Sequence, residues 1–297
     1  MATSGNLPRH LEVAARTGVL ASQAKDDMPY RRVASEVDLT AKSTNFVDLG
    51  GMPAPSNNPK AVDTLIEKGK DVEPEDWYLT LSISQNAIDD DQTGRLESSF
   101  KNLMPAFQRH INSRVFTVLN GGDGTTYGVS VDALSMFNNS HAWKGASYST
   151  AQDNLYGLDL TLDNFNTVWV AAKGFRDDQG NFLNFNYNLL ICHPTKNLVA
   201  ANITGNRESY DTGNREMNPY AGAVQYFTVP EFDTTAWILV AANETTKPMF
   251  VAIRKRPQLL NMWFDSQQPD GGRHYFQYHG RYTVQYADWP TAIMGNS

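Results

Sequence analysis

Residues 86–119 read NAIDDDQTGRLESSFKNLMPAFQRHINSRVFTVL. An acidic stretch leads into one long amphipathic run. Leu96, Phe100, Leu103, Phe107, Ile111, Val115 and Val118 recur at steps of three or four, which puts them on one face of a helix. Arg95, Lys101, Gln108, Arg109 and Asn112 fall mostly elsewhere. The spacing predicts a helix over 94–119, about 38 Å long at ~1.5 Å per residue. A rod of that length with a single apolar stripe must lie along a sheet or another helix. Pro105 stands near its middle, where a proline removes a hydrogen bond and costs about 3 kcal/mol. Two shorter helices meeting at a kink are the plain expectation there.

Working back from this run, Trp77, Leu79, Leu81 and Ile83 alternate with polar residues and predict a half-buried strand. Residues 37–76 before it form an excursion that leaves a sheet and returns. Their pattern is extended around Val37, Leu39, Phe46, Val47 and Leu49. A Pro/Asn/Ser-rich turn cluster follows at 50–59, then a polar helical fragment at 61–70. The excursion is too long and polar for an ordinary connection within a compact domain. Residues 7–24, with Leu7, Leu11, Ala14, Ala15, Val19 and Leu20, predict a short amphipathic helix ended before Pro29.

Working forward, Gly121-Gly122-Asp123-Gly124 stops the long helix. Thr161 is placed to cap a second helix carrying Leu162, Phe165, Val168, Trp169 and Ala172 on one side. A hairpin is expected around Asp178–Asn181, and a buried strand at Tyr187–Cys192. Pro194 opens a third helix, expected over 196–205. Val224–Val229 and the apolar AWILVAA run of 236–242 read as strands, the second a sheet centre. Residues 249–264 and the alternating Tyr282, Val284 and Tyr286 complete a mixed α/β body.

The 297 residues suffice for one large domain or two smaller ones. With 41% hydrophobic residues and a mean hydropathy of -0.45, the chain reads as a soluble folded protein. Its net charge of -7, without a basic stripe, argues against a dedicated nucleic-acid reader. No transmembrane run and no signal peptide are visible. Cys192 is the only cysteine, which excludes an intramolecular disulfide framework.

The local clusters offer little chemistry. Asp89-Asp90-Asp91 lacks the spaced ligand pattern of a calcium loop and reads as an acidic cluster at the positive end of the long helix. Cys192 and His193 are strand neighbours pointing to opposite faces, so they cannot form a dyad; Cys192 is expected in the core. The 121–126 glycine loop lacks the Lys-Ser/Thr ending of a phosphate loop. His141 has no second histidine at ligand spacing, and His274 with His279 has no completing carboxylate or cysteine nearby. No catalytic residue, cofactor or metal ligand is therefore assigned. Aromatic residues in polar-looking segments, Trp143, Tyr220 and Trp289 among them, read equally as interface or as half-buried core.

The order of elements resembles the major head proteins of Mu-like tailed bacteriophages, which have the HK97-like capsid fold. The carrying stretches are Trp77–Leu119, FNNSHAWKG (137–145), NLLICHPTKNLVAA (188–201), TAWILVA (235–241), KPMFVAIRKRPQL (247–259) and RYTVQYADWPTAIMG (281–295). They span nearly the whole chain from about Leu11. The family often has an acid before the histidine of the middle segment, where this chain has Ser140.

The resemblance implies an α+β, HK97-like capsid fold. Residues 1–36 would be an N-terminal arm and 37–76 an extended E-loop lying over a neighbouring subunit. Residues 77–136 with 247–297 would form a peripheral domain around the spine helix, and 137–246 an axial domain. It implies a non-enzymatic major capsid protein, assembling as pentamers and hexamers into an icosahedral shell around double-stranded DNA, with E-loops and arms tying capsomers together. The arm is too short for a fused scaffold, so separate scaffold and portal proteins, with decoration proteins as a further option, are implied as partners. Assembly would take place in the host bacterial cytoplasm. Pro105 would mark a hinge in the spine helix. Phe46, Leu49, Met52, Trp143, Tyr220 and Trp289 are the candidate assembly contacts. The competing readings are another phage structural subunit, such as a tail-tube or decoration protein, and a metal-dependent hydrolase using His274, His279 and an acid.

Overall fold

The computed structural model describes residue 13 and residues 28–39, 43–47, 67–90, 106–130, 132–143, 148, 150–205, 218–268 and 272–297. Pro105, Leu49, Met52, Asp91 and all but Val13 of the expected 7–24 helix lie outside the described residues, and of Phe46 only the backbone is described.

A 3-10 turn at Pro29–Arg32 leads into β1 (Ala34–Asp38). Strands β2 (Ser43–Val47) and β3 (Glu67–Asp71) pair antiparallel as a separate ribbon, with Ser43 opposite Asp71 and Val47 opposite Glu67. The helix expected at 61–70 is thus corrected over its last four residues, which are strand. Strand β4 (Glu75–Ser84) follows, with Trp77, Leu79, Leu81 and Ile83 half-buried on one face and Tyr78, Thr80 and Ser82 exposed on the other. The serine ending it, Ser84, caps α1 (Gln85–Asp89) by accepting the Ala87 N–H at 3.3 Å. Asp89 therefore closes a short helix, where an N-terminal role on the long one was expected.

The described part of the long helix is α2 (Ala106–Asn120). It buries Ile111, Val115, Phe116, Val118 and Leu119, and Phe116 meets Phe227 and Phe232 edge-on. Further along come β5 (Leu155–Tyr156), α3 (Leu162–Lys173), β6 (Leu189–Cys192), α4 (Asn197–Gly205), β7 (Gln225–Thr228) and β8 (Trp237–Val240). Thr161 caps α3, its Oγ1 accepting the Asn164 N–H at 3.2 Å. Two long strands, β9 (Met249–Asp265) and β10 (Arg273–Tyr286), precede the closing β11 (Ala292–Gly295).

The strands form two larger sheets. One has the order β1-β9-β10-β4 and is antiparallel except for the parallel β1–β9 pair. The other has the order β5-β11-β8-β6-β7. Its β6 and β8 read LLIC and WILV and are buried at every position, as continuous apolar runs require when both faces are covered. Two features bear on the domain organisation. Strand β11 lies in the second sheet, so 247–297 do not all stay with β9 and β10. Residues 29–36 are docked on the body rather than in a free arm, since Tyr30 is buried and donates its backbone N–H to Asn112 Oδ1 at 3.2 Å.

One apolar core runs from α2 and the start of β9 through the second sheet. A smaller one, around Ile88, Phe276 and Tyr278, serves the far end of the first sheet. A third, around Leu39, Val72, Phe250 and Ala252, sits on the face of that sheet opposite α2 and anchors the base of the ribbon. Among the described residues no helix is long and apolar enough to cross a membrane.

Candidate assembly interface

The β2–β3 ribbon stands apart from the two larger sheets. A two-stranded ribbon is marginally stable by itself, and among the described residues no third strand joins it. Its base is held firmly. Leu39 donates its N–H to the Ile253 carbonyl at 2.9 Å and accepts from Arg254 Nη1 at 3.1 Å. Arg256 reaches Glu36 and Asp38, both at 3.1 Å. Glu36 also accepts from the Tyr30 hydroxyl at 2.6 Å and from Arg31 Nε at 3.1 Å. Burial alone would raise the Glu36 carboxyl, but the Tyr30 hydroxyl and the Arg256 and Arg31 guanidinium groups outweigh it and hold it below its ordinary value. Burial, with Glu36 as neighbour, pushes Tyr30 up to about 12.

A buried joint ties the segment after α2 to the link between β10 and β11. His141 Nδ1 lies 2.5 Å from Asp132 Oδ2, and its Nε2 lies 3.2 Å from the Met136 carbonyl. Its ring stacks parallel on Trp289, which sits in the link from β10 to β11. Asn154 ties the same joint, donating to the carbonyls of Met136, Trp289 and Ala292 at 2.9, 3.1 and 3.2 Å. Asp132 thus supplies an acid to His141 from nine residues upstream.

Three of the expected contact residues pack within their own chain. Trp289 is fully buried and packs against His141, Trp143 and Phe175. Trp143 is buried and donates to the Arg176 carbonyl at 2.8 Å. Tyr220 is buried between Phe165 and Trp169, with its hydroxyl on Asn166. All three are spent inside the chain and offer little surface to a neighbour. The exposed large apolar residues lie elsewhere: Val170, Phe182 and Leu198 on the second-sheet side, and Tyr78, Leu260, Trp263 and Phe264 on the first sheet. Trp263 and Tyr275 stack at 4.9 Å, and Tyr78 and His279 at 4.6 Å. Only the strand register separates these exposed aromatics from buried ones, so composition alone does not find them.

The remaining clusters keep to structural roles. His274 pairs with Gln85 at 2.7 Å and His279 with Asp76 at 2.9 Å. Five residues apart on one strand, they face opposite sides of the sheet. Among the described residues, no three or more His, Cys, Asp or Glu are grouped to hold a metal ion. Cys192 is fully buried, and burial pushes its thiol up to about 11. His193 accepts the Thr195 N–H at 3.2 Å.

A helix laid on a four-stranded sheet, a separate ribbon and a second mixed sheet together make up the HK97-like fold. The profile of a phage capsid protein family matches residues 67–293, and the chain belongs to that family, with the role of a major capsid protein of the virion. Solved structures agree on the fold. The procapsid of bacteriophage JBD30 has a TM-score of 0.59 at 14% identity, covering 100% of this chain and 76% of that one. The capsid of a native GTA particle has 0.54 at 12% identity, covering 90% and 89%. Mycobacterium phage Patience has 0.54 at 9% identity, covering 100% and 88%. No curated protein matches the chain in sequence.

Proposed function

We propose that this chain builds the head shell of a Mu-like tailed bacteriophage or of a prophage-derived particle. Its mechanism is assembly rather than catalysis. Copies form pentamers and hexamers through heterologous contacts that close into rings. The observation that carries this reading is the β2–β3 ribbon, clamped at its base by Glu36, Asp38 and Arg256 yet without a partner strand among the described residues. It acts as part of the E-loop of residues 37–76, lying over the next subunit, with Phe46, Leu49 and Met52 as contact residues. The first sheet with α2 serves as the peripheral domain, and the second sheet, β11 included, as the axial domain.

Separate scaffold, portal and decoration proteins complete the head, and assembly takes place in the host cytoplasm. The shell encloses double-stranded DNA and touches it without sequence preference. The net charge of -7 suits a wall that does not hold phosphates tightly. Strong salt-sensitive DNA binding by isolated subunits would contradict that part.

Gel filtration with electron microscopy tests the whole reading. Capsomers or shells are expected, and a small monomer with hydrolase activity would overturn it.

A further inference from the structure

One carboxylate, that of Glu36, is shared by two parts of the chain that enter the first sheet at different points. Its Oε1 accepts from the Tyr30 hydroxyl at 2.6 Å and from Arg31, whose Nε lies at 3.1 Å and Nη2 at 3.0 Å. Its Oε2 accepts from Arg256 Nη1 at 3.1 Å, and Arg256 Nη2 goes on to Asp38 Oδ1, also at 3.1 Å. Tyr30 and Arg31 stand in the 3-10 turn ahead of β1, held there by Asn112 and Lys247. Asp38 ends β1 at the base of the ribbon, and Leu39 after it is bonded to Ile253 and Arg254. The two roots thus lie at opposite ends of one five-residue strand.

A guanidinium and a carboxylate frequently meet as a closed fork, two nitrogens on two oxygens. Here the Arg256 fork is split between Glu36 and Asp38, which stand two residues apart on the same face of β1. Each carboxylate oxygen offers two lone pairs. Both of those on Glu36 Oε1 are taken, one by the tyrosine hydroxyl and one by Arg31. Glu36 is therefore kept from turning both oxygens to Arg256, and the second guanidinium nitrogen reaches Asp38. Loss of the Tyr30 bond opens a second arrangement, the closed fork of Glu36 with Arg256, in which Asp38 is released. Tyr30 is 3% exposed and the Glu36 side chain 20%, against 72% for Asp38, so the buried end holds and the exposed end yields. Coupling between distant sites needs an element with two discrete arrangements of this kind.

We infer that Tyr30 is a positioning residue for the ribbon: acting through Glu36, its hydroxyl keeps Arg256 divided between Glu36 and Asp38 and so fixes where the ribbon leaves the first sheet. A displacement of the turn at Tyr30 is then delivered to the ribbon's base at Asp38. The contacts that carry it are side-chain bonds of one network, which double-mutant cycles apportion. The inference concerns the single subunit and stands whether or not copies close into a shell.

Amide hydrogen exchange on the isolated subunit tests this, since exchange reports local opening. Tyr30→Phe keeps the buried ring and removes only the hydroxyl. It is expected to speed exchange in β2 and β3 about threefold, with β6 and β8 of the second sheet unchanged. Arg256→Gln, at a half-exposed side chain, is expected to speed exchange in the same two strands. Adding Tyr30→Phe to Arg256→Gln should then change nothing further, because the fork through which Tyr30 acts is gone. Ribbon exchange equal to the wild type in either single variant overturns the proposal. An increase that extends to β6 and β8 also overturns it, as it marks a general loss of stability. So does a Tyr30→Phe effect as large in the Arg256→Gln protein as in the wild type, which makes the two residues independent.

Discussion

The His141 imidazole lies flat on the Trp289 indole, with ring centroids 4.5 Å apart and the planes parallel. The histidine comes from the segment after α2, and the tryptophan from the link that carries the chain from β10 into β11. Their stack, with the Asp132 bond behind it, pins the segment after α2 to that link. His141→Leu keeps the volume but leaves the Asp132 carboxyl buried without its ring partner. That is expected to cost about 3–5 kcal/mol, read as a lowered denaturation midpoint with an unchanged slope. A loss under about 1 kcal/mol, the size of an ordinary single hydrogen bond, would show the pair to be incidental.

Gly295 approaches Trp237 so closely that a Cβ built there falls 2.2 Å from the indole. Gly295→Ala should therefore overpack the centre of the second sheet and destabilise by about 1–3 kcal/mol. Thermal unfolding checks it. Trp237→Phe in the same chain is expected to recover part of the loss, whereas a purely backbone effect at Gly295 would not be recovered.

The clamp at the ribbon base should weaken in acid. The folded Glu36 carboxyl is held below its ordinary 4.5. Its contribution is therefore present above 4.5 and is lost as pH falls through the lower folded value. Glu36→Gln should flatten the acid limb of the stability curve, with little difference between the two proteins' acid slopes above pH 4.5. Proteolysis of the 48–66 segment should rise over the same acid range in the wild type.

Leu198 is 72% exposed on the first turn of α4 and serves nothing in its own core. Leu198→Glu should leave the subunit's stability within about 0.5 kcal/mol while lowering the yield of assembled particles. Equal particle yield would remove this surface from the assembly contacts.

Pro105 lies outside the described residues, and the hinge role comes from the family resemblance. Pro105→Ala should change the ratio of compact to expanded shells in electron micrographs. If the ratio is unchanged, the proline is a kink and nothing more.

Residues whose burial is decided locally were the readable ones. The stripe Ile111, Val115 and Val118 gave α2, and the unbroken apolar runs of β6 and β8 announced central strands. Strand β3, Glu-Lys-Gly-Lys-Asp, carries no apolar period and resembled a polar helix. Trp143, Tyr220 and Trp289 stand among polar neighbours, and only contacts from distant parts of the chain bury them. The ribbon clamp joins Glu36 to Arg256 across 220 residues, and neither residue signals the other locally. Asp132 and His141 are closer in sequence, but the irregular turn between them gives no periodic clue.

The central claim is that this chain closes on copies of itself to make a shell, and electron microscopy of the expressed protein tests it most directly. The subunit should be imaged alone and together with scaffold and portal proteins. Five- and six-membered capsomers in a closed shell, with each ribbon crossing onto the next subunit, are the predicted result. A discrete monomer or dimer under every one of those conditions would contradict it.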